Sequence, residues 1–181
     1  FLATSPSGST DKSNILLVGP MGCGKTLCMK AVGSAGNNIS VFATSASFGT
    51  SWANMTNRQP KELFEASLKL HRASGRPVYI LIDEIDSILH EDRNTGSMNL
   101  SNEFQNLMDG VVSYPGITLI GATNHPQRIP PAILRRFAKV MVVGELSLED
   151  RIFTIKHYLQ TYLPCENFSE DDFIGWANKL E

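Results

Sequence analysis

The chain has 181 residues, a formal net charge of -2 and 42% hydrophobic residues, which suits one α/β domain with a short appendage. That charge balance excludes a surface that attracts nucleic acid or anionic membrane as a whole, and no apolar run approaches membrane-spanning length. An odd count of three cysteines argues against a disulfide framework, and the four histidines lack metal-ligand spacing, so a reducing, cytoplasmic compartment is expected.

Phe1 to Thr10 lacks the basic flank and apolar centre of a signal peptide and reads as a loop. Asn14-Ile15-Leu16-Leu17-Val18 follows as a short apolar run suited to a buried strand. It feeds Gly19-Pro20-Met21-Gly22-Cys23-Gly24-Lys25-Thr26, which fits the phosphate-loop pattern G-x-x-x-x-G-K-[ST]. Gly22 and Gly24 accept positive φ and carry no Cβ, so successive N–H groups can converge on phosphate oxygens. Lys25 sets an ammonium against the β- and γ-phosphates, Thr26 offers a hydroxyl to Mg²⁺, and Leu27 continues the contact run. The chain should turn helical from Lys25, aim its N-terminal dipole at the same anion and stop near Gly33 and Gly36. A nucleoside triphosphate is therefore implied. Cys23 has two readings: a thiol sensitised to oxidation by the helix N-terminus, or the favoured one, a residue filling a tolerant loop position.

The remaining segments alternate strand-like and helix-like, the pattern of a parallel sheet with helices on both faces. Ile39 to Thr44 reads as a second strand. Pro60 to Ser74 reads as a helix with Leu63, Ala66 and Leu70 on its apolar stripe and Gly75 as its stop. Pro77 to Ile82 is a third strand, apolar enough to be buried on both faces. Leu100, Phe104, Leu107 and Met108 recur at helical spacing up to Gly110, and Ile117 to Ala122 and Lys139 to Val143 are the fourth and fifth strands. Past Val143 the character changes. Ser147 to Asp150 reads as a cap on a helix carrying Ile152, Ile155, Leu159 and Tyr162 on one side, and Ser169 to Asp172 as a cap on a second helix still running at Glu181. Residues 1-145 are thus expected to form the α/β nucleotide-binding domain and 146-181 the start of a truncated helical lid.

Asp83-Glu84 closes the third strand. An acid at a strand's carboxyl end can hold Mg²⁺ through water, and the next can orient and deprotonate an attacking water, so Asp83 and Glu84 read as a Walker B pair. With these residues in place, the order of motifs resembles the AAA family of AAA+ ATPases. Asp83-Glu84-Ile85-Asp86 matches the family's acidic signature, Gly121-Ala122-Thr123-Asn124 its sensor 1 strand, and Pro131-Ala132-Ile133-Leu134-Arg135-Arg136-Phe137 its second region of homology. The resemblance covers about residue 13 to 162 and implies a P-loop NTPase of the ASCE, RecA-like type, a five-stranded parallel sheet of order 5-1-4-3-2 with a small α-helical lid. It implies ATP and Mg²⁺ as cofactors, Asn124 as the residue that positions the lytic water, and a homo-oligomer, usually a hexamer, in which Arg135 and Arg136 reach the γ-phosphate of the neighbouring protomer. A guanidinium beside the transferring phosphoryl group contributes about 10³ to 10⁵ in rate. From the residues alone, a solvated face or local ion pairs is the favoured reading of two adjacent arginines, and only the order of motifs reverses it.

Counting back from Glu62-Leu63-Phe64, Ser51-Trp52-Ala53-Asn54 aligns with the family's substrate-gripping pore loop, which makes Trp52 and Ala53 candidate contacts to a polypeptide substrate. The competing reading is a tryptophan that anchors its own loop, and Asn54 stands where the family has glycine. His90 to Met98, with Arg93, aligns with a second pore loop. Pro130 replaces the usual acid, and the compact Arg135-Arg136-Phe137 is most similar to the katanin, spastin and ESCRT-disassembly branch. The family's N-terminal linker is expected before Phe1 and its sensor 2 helix after Glu181, so the chain reads as part of a longer subunit.

Two other functions compete with ATP-driven protein remodelling. A nucleic-acid-associated switch, such as a clamp or helicase loader, would need a basic surface that the net charge does not supply. A GTP-binding module would explain Asn178-Lys179-Leu180-Glu181, but that run ends in Glu and falls in the helical tail.

Overall fold

Five short apolar segments lie side by side in one sheet in the computed structural model, which describes residues 14–44, 59–89, 97–109, 114–163 and 168–179. They are β1 (Ile15–Val18), β2 (Ile39–Ala43), β3 (Val78–Ile82), β4 (Ile117–Thr123) and β5 (Lys139–Val142). Their spatial order is β2-β3-β4-β1-β5, and every neighbouring pair is parallel. This is the expected 5-1-4-3-2 order of a P-loop NTPase. Parallel pairing gathers all carboxyl ends on one edge, where open α/β sheets bind ligands. The register places Val18 opposite Thr123 and Ile82 opposite Gly121, so the loops leaving β1, β3 and β4 emerge together.

The helices on this sheet are α1 (Lys25–Ser34), α2 (Gln59–Ser74), α3 (Asp86–Leu89), α4 (Ser97–Asp109) and α5 (Pro131–Leu134). Side chains alternate across a strand, and the alternation divides the core in two. Leu16, Ile80, Ile82 and Leu119 point to one face and pack with Phe64, Ile88, Phe104 and Ile133. Leu17, Leu81, Ile120 and Ala122 point to the other and pack with Met29 of α1. Helices cover both faces, as expected, but unequally: α1 alone supplies the buried helical residue of the second cluster. β3 is buried at four of its five positions, whereas β5 is exposed throughout because it forms the edge.

Helix α2 departs from the expected stripe. Ala66 and Leu70 are exposed, and the buried positions are Pro60, Phe64 and Ser67. The reason lies in the largest side chain on the helix. Phe64 makes edge-to-face contacts with Phe104 at 6.5 Å and Tyr114 at 5.3 Å between ring centroids, and this centres the buried face on Phe64, with Leu63 packed at its margin and Ala66 and Leu70 turned out. Ser67 is tolerated inside because its hydroxyl donates to the Leu63 carbonyl at 2.8 Å. In α4, by contrast, Leu100, Phe104, Leu107 and Met108 are all buried, as their spacing predicts.

The chain divides into two units, Phe1–Val143 and Gly144–Glu181. The second contains α6 (Leu148–Tyr162) and α7 (Glu170–Asn178). Ser147 caps α6 by accepting from the Asp150 N–H at 3.1 Å, and Ser169 with Asp172 forms a reciprocal capping box on α7. Lys156 donates to both carboxylate oxygens of Glu170 at 2.6 Å, and its ammonium lies 5.2 Å from the Phe173 ring centroid. Ile152, Ile155 and Leu159 are half-buried as their spacing predicts, but Tyr162 is exposed and stacks on Tyr158. Helix α7 ends at Asn178, where the Lys179 N–H turns back to the Trp176 carbonyl at 3.1 Å, and the expected end at Glu181 lies outside the described residues. Among the described residues, no helix is long and apolar enough to cross a membrane.

Candidate nucleotide site

The loop between β1 and α1 is shaped by its glycines. Gly22 and Gly24 have φ of 77 and 88, in the left-handed region, and a Cβ added at either would meet no atom within 4 Å. The space beside the loop is therefore open to a ligand. Gly19 serves a different need: a Cβ there would run into the Val143 carbonyl, so this glycine lets the loop lie against the chain leaving β5. The Gly19 N–H donates to the Thr123 carbonyl at 3.3 Å and ties the loop's start to the end of β4. Gly24 sits at the N-cap of α1 with no side-chain cap hydrogen bond, which leaves first-turn N–H groups free to meet an anion.

Lys25 is 7% exposed, and its ammonium donates to the carbonyls of Gly19 at 2.9 Å and Pro20 at 2.6 Å. It also lies 3.5 Å from the Cys23 sulfur. The cation is thus held inside the loop's own concavity. Cys23 is buried, and its thiol donates to the Pro20 carbonyl at 3.0 Å, an internal brace of the loop. Met21 and Leu27 are exposed, at 80% and 56%.

The Thr26 hydroxyl donates to Asp83 Oδ2 at 2.6 Å, and the Glu84 N–H donates to the other carboxylate oxygen at 3.0 Å. One carboxylate thus joins the phosphate loop to the turn after β3. Glu84 is the only non-glycine with positive φ among the described residues, at 50. An L residue in that conformation is strained, and its neighbours hold it there: the Ile85 N–H donates to the Ala122 carbonyl at 3.0 Å, and the Ser87 hydroxyl to the Glu84 carbonyl at 2.7 Å. The Glu84 side chain itself remains exposed.

Asn124 follows β4 directly. Its Oδ1 is buried and has no hydrogen-bond partner among the described residues. A buried amide oxygen without a donor is costly, which makes it a receptive point for a ligand or water. Arg135 and Arg136 follow α5: Arg135 is exposed and donates from Nε to the Pro131 carbonyl at 3.2 Å, while Arg136 is half-buried and donates to the Ala132 carbonyl. Trp52, Ala53 and Arg93 lie outside the described residues. Asn178 and Lys179 stand at the end of a helix rather than after a sheet strand, so the guanine-reading pattern has no structural counterpart there.

Open glycines, an uncapped helix start, a cation in the loop and the unsatisfied Asn124 oxygen together fit a polyphosphate. Thr26 Oγ1 and Asp83 Oδ2 are hard oxygen donors within reach of each other and fit Mg²⁺, which binds by one or two protein oxygens plus water and phosphate. No group of three or more His, Cys, Asp or Glu side chains among the described residues offers an all-protein metal cage.

Residues 15–145 match the family model described as ATPase family associated with various cellular activities (AAA). The chain belongs to the AAA family. It is 33% identical over 149 residues to cell division protein C of Sulfolobus acidocaldarius, covering 80% of this chain and 40% of that protein. It is 36% identical over 152 residues to a probable spastin homologue of Brugia malayi, covering 81% and 32%. The crystal structure of the FIGL-1 AAA domain in complex with ADP superposes with a TM-score of 0.70 at 26% identity, over 93% of this chain and 55% of that one. This AAA domain spans less than half the length of the curated relatives it matches.

Two residues that motif reading passes over stand at the centre of the site. Asp86 and Thr123 are 5% and 1% exposed, and the Thr123 hydroxyl donates to Asp86 Oδ1 at 2.6 Å. Both belong to quoted motifs, and the available signal was physical. A threonine at the buried end of a central strand needs a partner for its hydroxyl, and an acid beginning a short apolar helix can provide one.

Proposed function

We propose that this AAA domain binds Mg²⁺-ATP at the carboxyl edge of its sheet and hydrolyses it to drive remodelling or disassembly of a polypeptide substrate in a ring-shaped homo-oligomer. The observation that carries this reading is the meeting of the phosphate loop, the Asp83-Glu84 turn and Asn124 on that edge, joined by the Thr26–Asp83 hydrogen bond.

The N–H groups from Met21 to Leu27 that are free of protein partners wrap the phosphates, with Lys25 turning from the loop carbonyls onto the β- and γ-oxygens. Bound Mg²⁺, held by Thr26 and Asp83, supplies charge neutralisation at the β- and γ-phosphates. Glu84, exposed on a strained turn, accepts the proton of the attacking water, and Asn124 orients that water against the γ-phosphate. Arg135 and Arg136 of one protomer stabilise charge on the phosphoryl group held by the next; the exposure of Arg135 supports that role. Trp52 and Ala53 form the pore loop that grips an extended polypeptide, and Gly144–Glu181 begins a helical lid.

Similarity to spastin homologues supports a polypeptide substrate over the clamp- or helicase-loader reading. The test is Trp52→Ala in the full-length protein. ATP turnover should persist while substrate processing is lost; normal processing would remove the pore-loop role, and salt-sensitive DNA binding would favour the loader.

A further inference from the structure

The hydrogen-bond pattern around Thr123 goes beyond the motif roles. Its carbonyl accepts from the Gly19 N–H at the start of the phosphate loop, at 3.3 Å. Its hydroxyl donates to Asp86 Oδ1 at 2.6 Å and accepts from the His125 N–H at 2.8 Å. Direction is set by chemistry: a hydroxyl has one proton, a carboxylate can only accept, and so the relay runs from His125 N–H through Thr123 to Asp86. Asp86 in turn lies just past the strained Glu84 turn, opens α3 and faces Arg128, whose Nη1 is 3.8 Å from Oδ2. Arg128 is 59% exposed, a weak partner beside the buried hydroxyl.

Asn124 stands between the two residues that this relay fixes. Its own Oδ1 has no partner among the described residues, so its side chain gains no hold from that oxygen. We infer that the Asp86–Thr123 pair is a positioning device for Asn124, clamping the backbone on both sides of it and locking it to the phosphate loop and to the turn that carries Glu84. The inference rests on the hydrolytic reading of the site. Asp86 and Thr123 touch no reacting atom; they set where Asn124 and Glu84 stand relative to each other. A displacement of about 1 Å in such a group can cost about 100-fold in rate.

The test uses the full-length protein, with steady-state ATP turnover, binding of a fluorescent ATP analogue and thermal unfolding measured side by side. Thr123→Val keeps the side-chain shape and removes the hydroxyl. Turnover should fall by about 100-fold with nucleotide affinity kept, and Thr123→Ser should recover most of the loss. Undiminished turnover in Thr123→Val overturns the inference, as does a parallel loss of turnover, affinity and thermal midpoint, which would mark a merely structural bond. If Thr123→Val does not fold, Asp86→Asn and Asp86→Ala decide. The first keeps an oxygen acceptor for Thr123 and should turn over well above the second, whereas equal turnover in the two overturns the pairing. Absence of ATP turnover in the wild type would instead refute the hydrolytic reading itself, so the two failures are distinguishable.

Discussion

The Thr26 hydroxyl and the Asp83 carboxylate, 57 positions apart in the chain, meet in a 2.6 Å hydrogen bond between the first turn of α1 and the end of β3. That bond places two hard oxygen donors together at the point where a metal-bound triphosphate would need them. Thr26→Val removes one donor and leaves the fold's apolar contacts intact. The half-saturating Mg²⁺ concentration for ATP turnover should rise by at least about tenfold, as read from a metal titration of steady-state hydrolysis.

Glu84 is held at a φ of 50, a conformation that costs an L residue about 1 kcal/mol or more. Relief of that strain and loss of the carboxylate have opposite consequences. Glu84→Gly should leave the thermal midpoint unchanged or raise it by about 2–4 °C, while hydrolysis is lost. Thermal unfolding and turnover measured on one preparation check both; a marked fall in midpoint would show that the turn is not strained.

Stability of the first unit depends on the ring cluster beneath α2 and α4. Phe104 is fully buried and meets Phe64 edge to face at 6.5 Å. Phe104→Ala should destabilise that unit by about 3–5 kcal/mol through lost burial and the cavity left behind. Denaturant unfolding followed by a probe within residues 14–143 measures it.

The α7 cap gives a pH dependence with a definite sign. The Ser169 hydroxyl and the Ser169 N–H both donate to Asp172 Oδ2, at 2.6 and 2.9 Å, and hold that carboxyl below its ordinary value of 3.8. A lowered folded-state pKa means that the cap contributes fully above the unfolded value and is lost as pH falls through the folded one. Amide exchange in the first turn of α7 should accelerate over that acidic window. Ser169→Ala should move the Asp172 titration up toward 3.8, as followed by NMR of the carboxyl.

The parts legible in the sequence are those where one residue type answers one local demand. The phosphate loop declares itself because Gly22, Gly24, Lys25 and Thr26 each meet a separate requirement at fixed spacing, and the strand order followed from the family resemblance that such motifs carry. The face of α2 was legible only in part: Leu63 packs on the core as expected, but Ala66 and Leu70 turn out and Phe64 and Ser67 turn in, which only the position of Phe104 on another helix decides. Gly19 opens the phosphate-loop pattern, yet what it avoids is the Val143 carbonyl, a neighbour 124 residues away. The Asp86–Thr123 bond was hidden for the same reason: it exists only once β4 and the turn after β3 lie side by side.

In the proposed mechanism Glu84 removes a proton from water attacking a triphosphate held by this loop. The most direct measurement is ATP hydrolysis by Glu84→Gln in the full-length protein, beside ATP binding by the same variant. Glu84→Gln keeps the size and hydrogen-bonding reach of the side chain but cannot accept the proton. Binding should persist while turnover falls by about 10² to 10⁴, with ATP retained and the oligomer stabilised. Turnover equal to wild type would contradict the account.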